Sequence, residues 1–229
     1  MTSRFANLGY TLAVLCGLAI APSAMATDDP PGGRFEVTIT NLTRGQQFTP
    51  ILVATHKPSV KLFELGKPAS AELATLAEQG NTAPLAAALS ARPDTGQVVS
   101  GNSLTNPGAS KTFIVEGRGG FGFFSVAAML IPTNDAFFAV NGVALPRGND
   151  TLTLTVPAYD AGSERNDELC VSIPGPLFAE CSGSGGGAAP GGGEGYVHIH
   201  AGIHGIGDFK SADRDWRNPV ALITVRRLP

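Results

Sequence analysis

Two stretches of the chain alternate between apolar and polar positions. Phe35-Glu-Val-Thr-Ile-Thr-Asn-Leu42 does so with β-branched residues throughout, the pattern of a half-buried strand. Thr151-Leu-Thr-Leu-Thr-Val156 sends its threonines to one face and Leu152, Leu154 and Val156 to the other. Gly122–Ile131 does not alternate. It is the most apolar run after the first 26 residues, which predicts a central strand buried on both faces. Pro50–Thr55, Lys111–Glu116, Tyr196–His200 and Val220–Val225 are short strand-like runs of the same kind.

The period changes between 69 and 91. Leu73, Leu76 and Ala77 recur at helical spacing within Ala69–Gln79, Ser70 is placed as an N-cap, and Gly80-Asn81 is a stop signal. Ala83–Ala91 predicts a second short helix with Pro84 in its first turn. Arg92–Ser110, rich in Pro, Asp, Gly, Asn and Ser, reads as loop, and Gly183–Gly195 as a flexible surface loop without core residues. The expected fold is mainly β: an antiparallel β-sandwich over 35–229 with a short α-helical insertion, preceded by a disordered lead at 27–34.

The first 26 residues stand apart. Arg4, the apolar run Leu8–Ile20 and Ala24-Met-Ala26 have the order of a secretory signal peptide cleaved after Ala26. The run is shorter than the roughly 20 residues a spanning helix needs, so the expected product is secreted or periplasmic with no membrane span. Cys170 and Cys181, an even pair in an oxidising compartment, predict one disulfide. The formal net charge is −3, with no basic stripe, which argues against nucleic acid and anionic membrane as partners.

Two constellations carry candidate chemistry. Asp135 follows the buried strand, and Asp160-Ala-Gly-Ser-Glu164 follows the alternating one, with Gly162 letting the chain fold back. Asp135, Asp160 and Glu164 offer part of the six to eight oxygens that Ca²⁺ takes, and Asn166, Asp167 and Glu168 lie close by. The same loop fits a solvated acidic turn. His198-Ile-His200 projects two rings from one strand face, with His204 four residues on and Asp208 as a fourth ligand, a layout for Zn or Cu. Exposed rings, or rings hydrogen-bonded at a strand end, fit the same residues.

Gly117-Arg-Gly-Gly-Phe-Gly122 matches the dinucleotide glycine spacing, but strand-like residues follow where a helix is needed, so it reads as a hairpin turn with a bulge. Gly-x-Ser-x-Gly, His-Glu-x-x-His and Ser-x-x-Lys are absent, and the chain is not expected to be an enzyme.

Ser125-Val-Ala-Ala-Met-Leu-Ile-Pro132-Thr-Asn-Asp135 resembles the segment of spondin domains in which an apolar strand ends in Pro and a nearby Asp. Asp160-Ala-Gly-Ser-Glu164 resembles that family's Asp-Ala-Gly-Thr-Asp motif. Thr49–His56, Leu62–Gly66 and Trp216–Ala221 extend the likeness from about Phe35 to Val225. The resemblance implies a β-sandwich holding calcium through Asp135, Asp160 and Glu164. Two positions depart from the pattern: Glu164 stands where Asp is frequent, and Ala136 replaces an aromatic. The expected function is an exported calcium-binding module that adheres to or interacts with a protein, surface or matrix component. The alternatives are a Zn/Cu metalloprotein built on His198, His200 and His204, and a structural envelope protein without an ion.

Overall fold

The structure, a computed structural model, describes residues 32–175, 178–183, 185–187 and 192–229. The expected signal peptide, and the lead up to residue 31, lie outside the described residues. The strands are β1 (Arg34–Asn41), β2 (Gln47–Phe48), β3 (Leu52–His56), β4 (Thr95–Ser100), β5 (Ser110–Glu116), β6 (Phe123–Ile131), β7 (Ala136–Ala144), β8 (Thr151–Val156), β9 (Ala158–Asp160), β10 (His198–Ile199) and β11 (Ala221–Arg227). The helices are α1 (Ala71–Gln79), α2 (Ala83–Ser90) and α3 (Ser211–Arg214).

The strands form two antiparallel sheets. One has four strands in the order β5-β1-β11-β8. The other has seven, in the order β10-β9-β7-β6-β3-β4, with β2 paired to β6. Alternation decides what fills the space between them. Val37 and Ile39 of β1, Ile223 and Val225 of β11, and Val126 and Ala128 of β6 point into one fully buried core.

The remaining side chains of β6 explain its lack of alternation. Ala127 faces a second core, made with Leu73, Leu76 and Ala77 of α1 and Leu85 and Leu89 of α2. The helical insertion therefore covers the outer face of the seven-stranded sheet, and β6 is apolar on both sides because both are covered. The helix itself is bounded as its sequence predicts. Ser70 accepts a hydrogen bond from the Leu73 N–H, and Gly80 closes the C-terminus in a left-handed conformation (φ 64°).

Two expectations need correction, and one strand was not foreseen. Arg92–Ser110 contains β4, an edge strand pairing only with β3, so half of its surface stays in water and its polar composition suffices. β7 was not evident from the sequence because its first five residues are buried on both faces and show no period of two. The Gly117–Gly122 segment joins β5 of one sheet to β6 of the other. It is a crossover between layers, with Gly119 and Gly120 at positive φ, and not a hairpin within a sheet.

Candidate metal-binding site

A single turn and a single pairing bring Asp135 and Asp160 together. Asp135 closes the hairpin between β6 and β7, and Asp160 ends β9. β9 pairs with β7 so that Asp160 lies opposite Ala136, which sets it next to Asp135. The chain reaches that position by crossing from β8 in one sheet to β9 in the other across Pro157 alone. The two aspartates are thus fixed by strand register within one sheet, a tighter constraint than two loops meeting at the end of a sandwich.

All three predicted ligands are buried: Asp135, Asp160 and Glu164 expose at most 1% of their surface. Asp135 Oδ2 accepts hydrogen bonds from the backbone N–H groups of Ser163 (2.8 Å) and Glu164 (3.0 Å) and from Ser163 Oγ (3.2 Å). Its Oδ1 is buried with no hydrogen-bond partner among the described residues. Asp160 Oδ1 accepts from the Gly162 N–H and Oδ2 from Asn166 Nδ2, both at 2.7 Å. Burial, and then the neighbouring charge of Asp160, push the Asp135 carboxyl up to about 7, against the pull of its N–H donors.

The other oxygens near this loop are engaged as braces. Asp167 accepts from Asn134 Nδ2 and Ser172 Oγ. Glu168, buried, accepts from the N–H groups of His204, Gly205 and Ile206, tying the 164–168 loop to the 203–206 loop.

Gly162 makes the fold-back. Its φ is +66°, and a Cβ there would lie 2.3 Å from the Tyr196 carbonyl oxygen. Gly195 N–H donates to the Gly162 carbonyl at 2.8 Å, and Gly192 bridges to Glu164. A Cβ on Gly193 would stand 2.4 Å from the Gly162 oxygen. The described end of the glycine-rich segment is therefore packed onto the acidic loop, and is not the free surface loop its composition predicts. Glycine is required there because two backbones touch.

The histidines come to the same place. β10 pairs with β9, setting His198 opposite Asp160. His198 Nε2 lies 3.9 Å from Asp160 Oδ1 and 3.5 Å from Glu194 Oε2. Partial burial opposes its charged form, but the Ile199 carbonyl, Asp160 and Glu194 outweigh that and raise its pKa. His200 flanks Asp160 from the other side, with Nε2 3.7 Å from Oδ2 and its ring 5.0 Å from that of Trp216. Burial, and then the His198 and His204 charges, lower its pKa to about 4. His204 is exposed on the following loop, and Asp208 accepts from the Cys170 N–H. Among the described residues, the side chains whose donor atoms all lie within 4.8 Å of one another are Asp160, Glu194 and His198.

A family model described as Spondin_N matches residues 40–168, more than half of the chain. The chain belongs to the spondin N-terminal domain family. The matched span of this spondin domain contains Asp135, Asp160 and Glu164 and ends before Glu194, His198, His200 and His204. No curated protein matches the chain. The family is one of non-catalytic extracellular modules. The Cys170–Cys181 disulfide is formed (Cα–Cα 5.4 Å) and accords with an extracellular or periplasmic location. Among the described residues no helix is long and apolar enough to cross a membrane.

Sequence reasoning missed Glu194. A signal was present: it is the sole charged residue of Gly183–Gly195, four positions before His198.

Asp135 and Asp160 form an all-oxygen pair beside the set of Asp160, Glu194 and His198, and among the described residues Glu164 is not brought with them into a group of donor atoms within 4.8 Å of one another. The pair offers oxygen donors, which suit a hard cation, its two aspartates repel each other, and the groups that hold them are neutral N–H and O–H donors.

Proposed function

We propose that this spondin domain is an exported calcium-binding interaction module in which Asp135, Asp160 and Glu164 hold the ion. The observation that carries the reading is the Asp135 carboxylate: one oxygen accepts three hydrogen bonds, the other is buried without a partner among the described residues, and the charge that acts on it is another carboxylate, Asp160. A buried anion in that position is costly unless a cation accompanies it. Ca²⁺ supplies that charge and draws oxygen donors to itself. Its effect is to hold the 133–135 turn, the 160–168 loop and, through Gly162 and Glu164, the described end of the glycine-rich segment in one arrangement.

The surface so fixed is the one offered to a partner, a protein of a cell surface or matrix. Tyr196, Ile199 and Ile206 stand exposed on the segments that pack against the acidic loop, at 45%, 49% and 70%, which suits an interaction face. The affinity expected of an extracellular module is about 10⁻⁴–10⁻³ M.

The test is thermal melting in chelator, then with millimolar Ca²⁺ or Mg²⁺, for the wild-type protein and Asp135→Asn. A rise in Tm with Ca²⁺ that is lost in the variant supports the reading. A melting temperature indifferent to Ca²⁺, with no heat on titration, overturns it.

A further inference from the structure

A second metal-ligand set lies on the other side of Asp160. We propose that Asp160, Glu194 and His198 bind a Zn²⁺-class divalent ion, at a site separate from the calcium position and sharing only the Asp160 carboxylate with it.

The ligand atoms are placed for it. His198 Nε2, Asp160 Oδ1 and Glu194 Oε2 come from a strand, the strand paired to it and the packed end of the glycine-rich segment, with separations of 3.9 and 3.5 Å from the ring nitrogen. Donors at ~2.0–2.2 Å from a tetrahedral zinc stand roughly 3.3–3.6 Å apart; the two separations from the ring nitrogen lie within tenths of an ångström of that range, and all three donor atoms lie within 4.8 Å of one another.

The tautomer is also the required one. His198 Nδ1 lies 3.1 Å from the Ile199 carbonyl. A carbonyl only accepts, so Nδ1 carries the hydrogen and the neutral ring presents its Nε2 lone pair to the carboxylates. This is the arrangement in which a backbone carbonyl orients a metal-ligating imidazole.

His200 supports the site from behind. Its Nδ1 accepts the Gly202 N–H at 2.9 Å, so Nε2 bears the proton and does not ligate. That N–H is buried, has no hydrogen-bond partner among the described residues, and its nitrogen lies 3.7 Å from Asp160 Oδ2. It is a donor held in reserve for the carboxylate that the ion draws on. The outer side is open: the His198 and Glu194 side chains are 27% and 40% exposed, leaving an entry path and room for a water as fourth ligand.

The donor set selects the ion. One imidazole nitrogen with two carboxylates suits zinc and the later first-row divalent metals, whereas Ca²⁺ and Mg²⁺ take oxygen donors. The same atoms are also compatible with a protonated His198 ion-paired to Asp160 and Glu194, and that is the arrangement the experiment must separate from a metal site.

The experiment is calorimetric titration of the chelator-treated protein with Zn²⁺, repeated for Glu194→Gln and His198→Gln, with Co²⁺ absorption as an independent readout. One zinc per chain, at least tenfold weaker in both variants, and a Co²⁺ spectrum of low-coordinate type lost in His198→Gln, supports the site. No zinc heat in the wild-type protein, or binding unchanged in both variants, overturns it. Glu194 lies outside the calcium ligands, so Glu194→Gln keeps the Ca²⁺ response. Loss of zinc binding with calcium melting intact, or the reverse, tells which of the two readings has failed. Glu194 is partly exposed, so its variant stays informative if His198→Gln does not fold.

Discussion

His198 stands directly across the β9–β10 pair from Asp160, with its Nε2 3.9 Å from Oδ1. The sequence separates these residues by almost forty positions, and it places them in constellations that look unrelated. Strand pairing makes Asp160 the common member of both. One face of its carboxylate region meets Asp135 through the β7–β9 register, and the other meets His198 of β10 and His200 just beyond it. Any perturbation of Asp160 should therefore be felt by oxygen and nitrogen donors together, and variants meant to dissect the site are better made at Asp135 and at Glu194.

Asp135→Asn should stabilise the metal-free protein. The amide keeps the shape of the carboxyl group and can still accept the Ser163 and Glu164 N–H bonds. Its NH₂ group replaces the buried oxygen that lacks a partner among the described residues, beside Asp160. Removing a buried charge and its repulsion is worth roughly 2 kcal/mol at pH 7.5. For a chain of this size that corresponds to a rise in Tm of about 4–8 °C. Melting in excess chelator measures it, and in the same variant added Ca²⁺ should produce no further rise.

The gain should depend on pH in a definite direction. The Asp135 carboxyl titrates near 7 in the folded protein, against 3.8 for the unfolded chain. Its folded value is raised, so the native state is favoured by protonation. That contribution is complete below about 3.8 and is lost as pH rises through about 7. Melting curves of wild type and Asp135→Asn in chelator should thus converge near pH 4 and separate progressively up to pH 7.5. Calcium should show the mirror image, raising the wild-type Tm more at pH 7.5 than at pH 5, with proton release detectable as buffer-dependent heat.

Much of this architecture was written in the sequence, in the places where a periodic pattern meets a single environment. β1 and β8 alternate because each has one buried face, and α1 announces both of its caps. β7 was hidden because burial on both faces erases alternation, and β4 because an edge strand can be polar. The site shows the same division. Asp135, Asp160 and Glu164 sit at or beside strand ends, in short segments whose spacing suggests chemistry. The nearness of His198 and Glu194 to Asp160 is a property of strand pairing and of a Gly–Gly contact, neither of which has a local signature. The glycines that permit that contact resemble those of an unstructured loop, since the residue that allows close approach is also the one that favours flexibility.

Ser125→Ala should be disproportionately costly for so small a change. Ser125 Oγ accepts the Gly142 N–H at 2.9 Å and contacts His56 Nε2 at 2.8 Å, while His56 Nδ1 faces the Lys57 carbonyl at 2.7 Å. The carbonyl fixes the hydrogen on Nδ1, so the serine hydroxyl donates to Nε2, and the fully buried ring is held neutral. Burial keeps its pKa below the usual histidine value. Alanine leaves a buried N–H and a buried ring nitrogen without partners, a loss of roughly 2 kcal/mol, read as a lower denaturation midpoint with unchanged m-value. The folded pKa of His56 is depressed, so its contribution is present above about 6.5 and is lost as pH falls below it. Wild-type stability therefore carries an acid-side loss from this residue that His56→Gln should reduce.

Gly162→Ala should separate backbone strain from collision. Gly148 and Gly162 both hold positive φ, +55° and +66°, but a Cβ at Gly148 meets nothing within 4 Å. Alanine at Gly148 therefore pays only the conformational penalty, about 1 kcal/mol. At Gly162 the same penalty is joined by a Cβ within 3 Å of the Tyr196 oxygen, nitrogen and carbonyl carbon, all backbone atoms with no side-chain freedom to yield. Relief requires the 160–164 loop to part from the Gly192–Tyr196 segment, which breaks the Gly195 N–H bond to the Gly162 carbonyl. The expected loss is on the order of 3 kcal/mol or more. It should come with a weakened response to Ca²⁺ and faster proteolytic cleavage within Gly192–Tyr196, whereas Gly148→Ala should leave the metal response and the cleavage rate there as in the wild-type protein. Equal losses at the two positions would mean that the contact between the acidic loop and Tyr196 contributes nothing, and that conformational strain alone accounts for the glycine at 162.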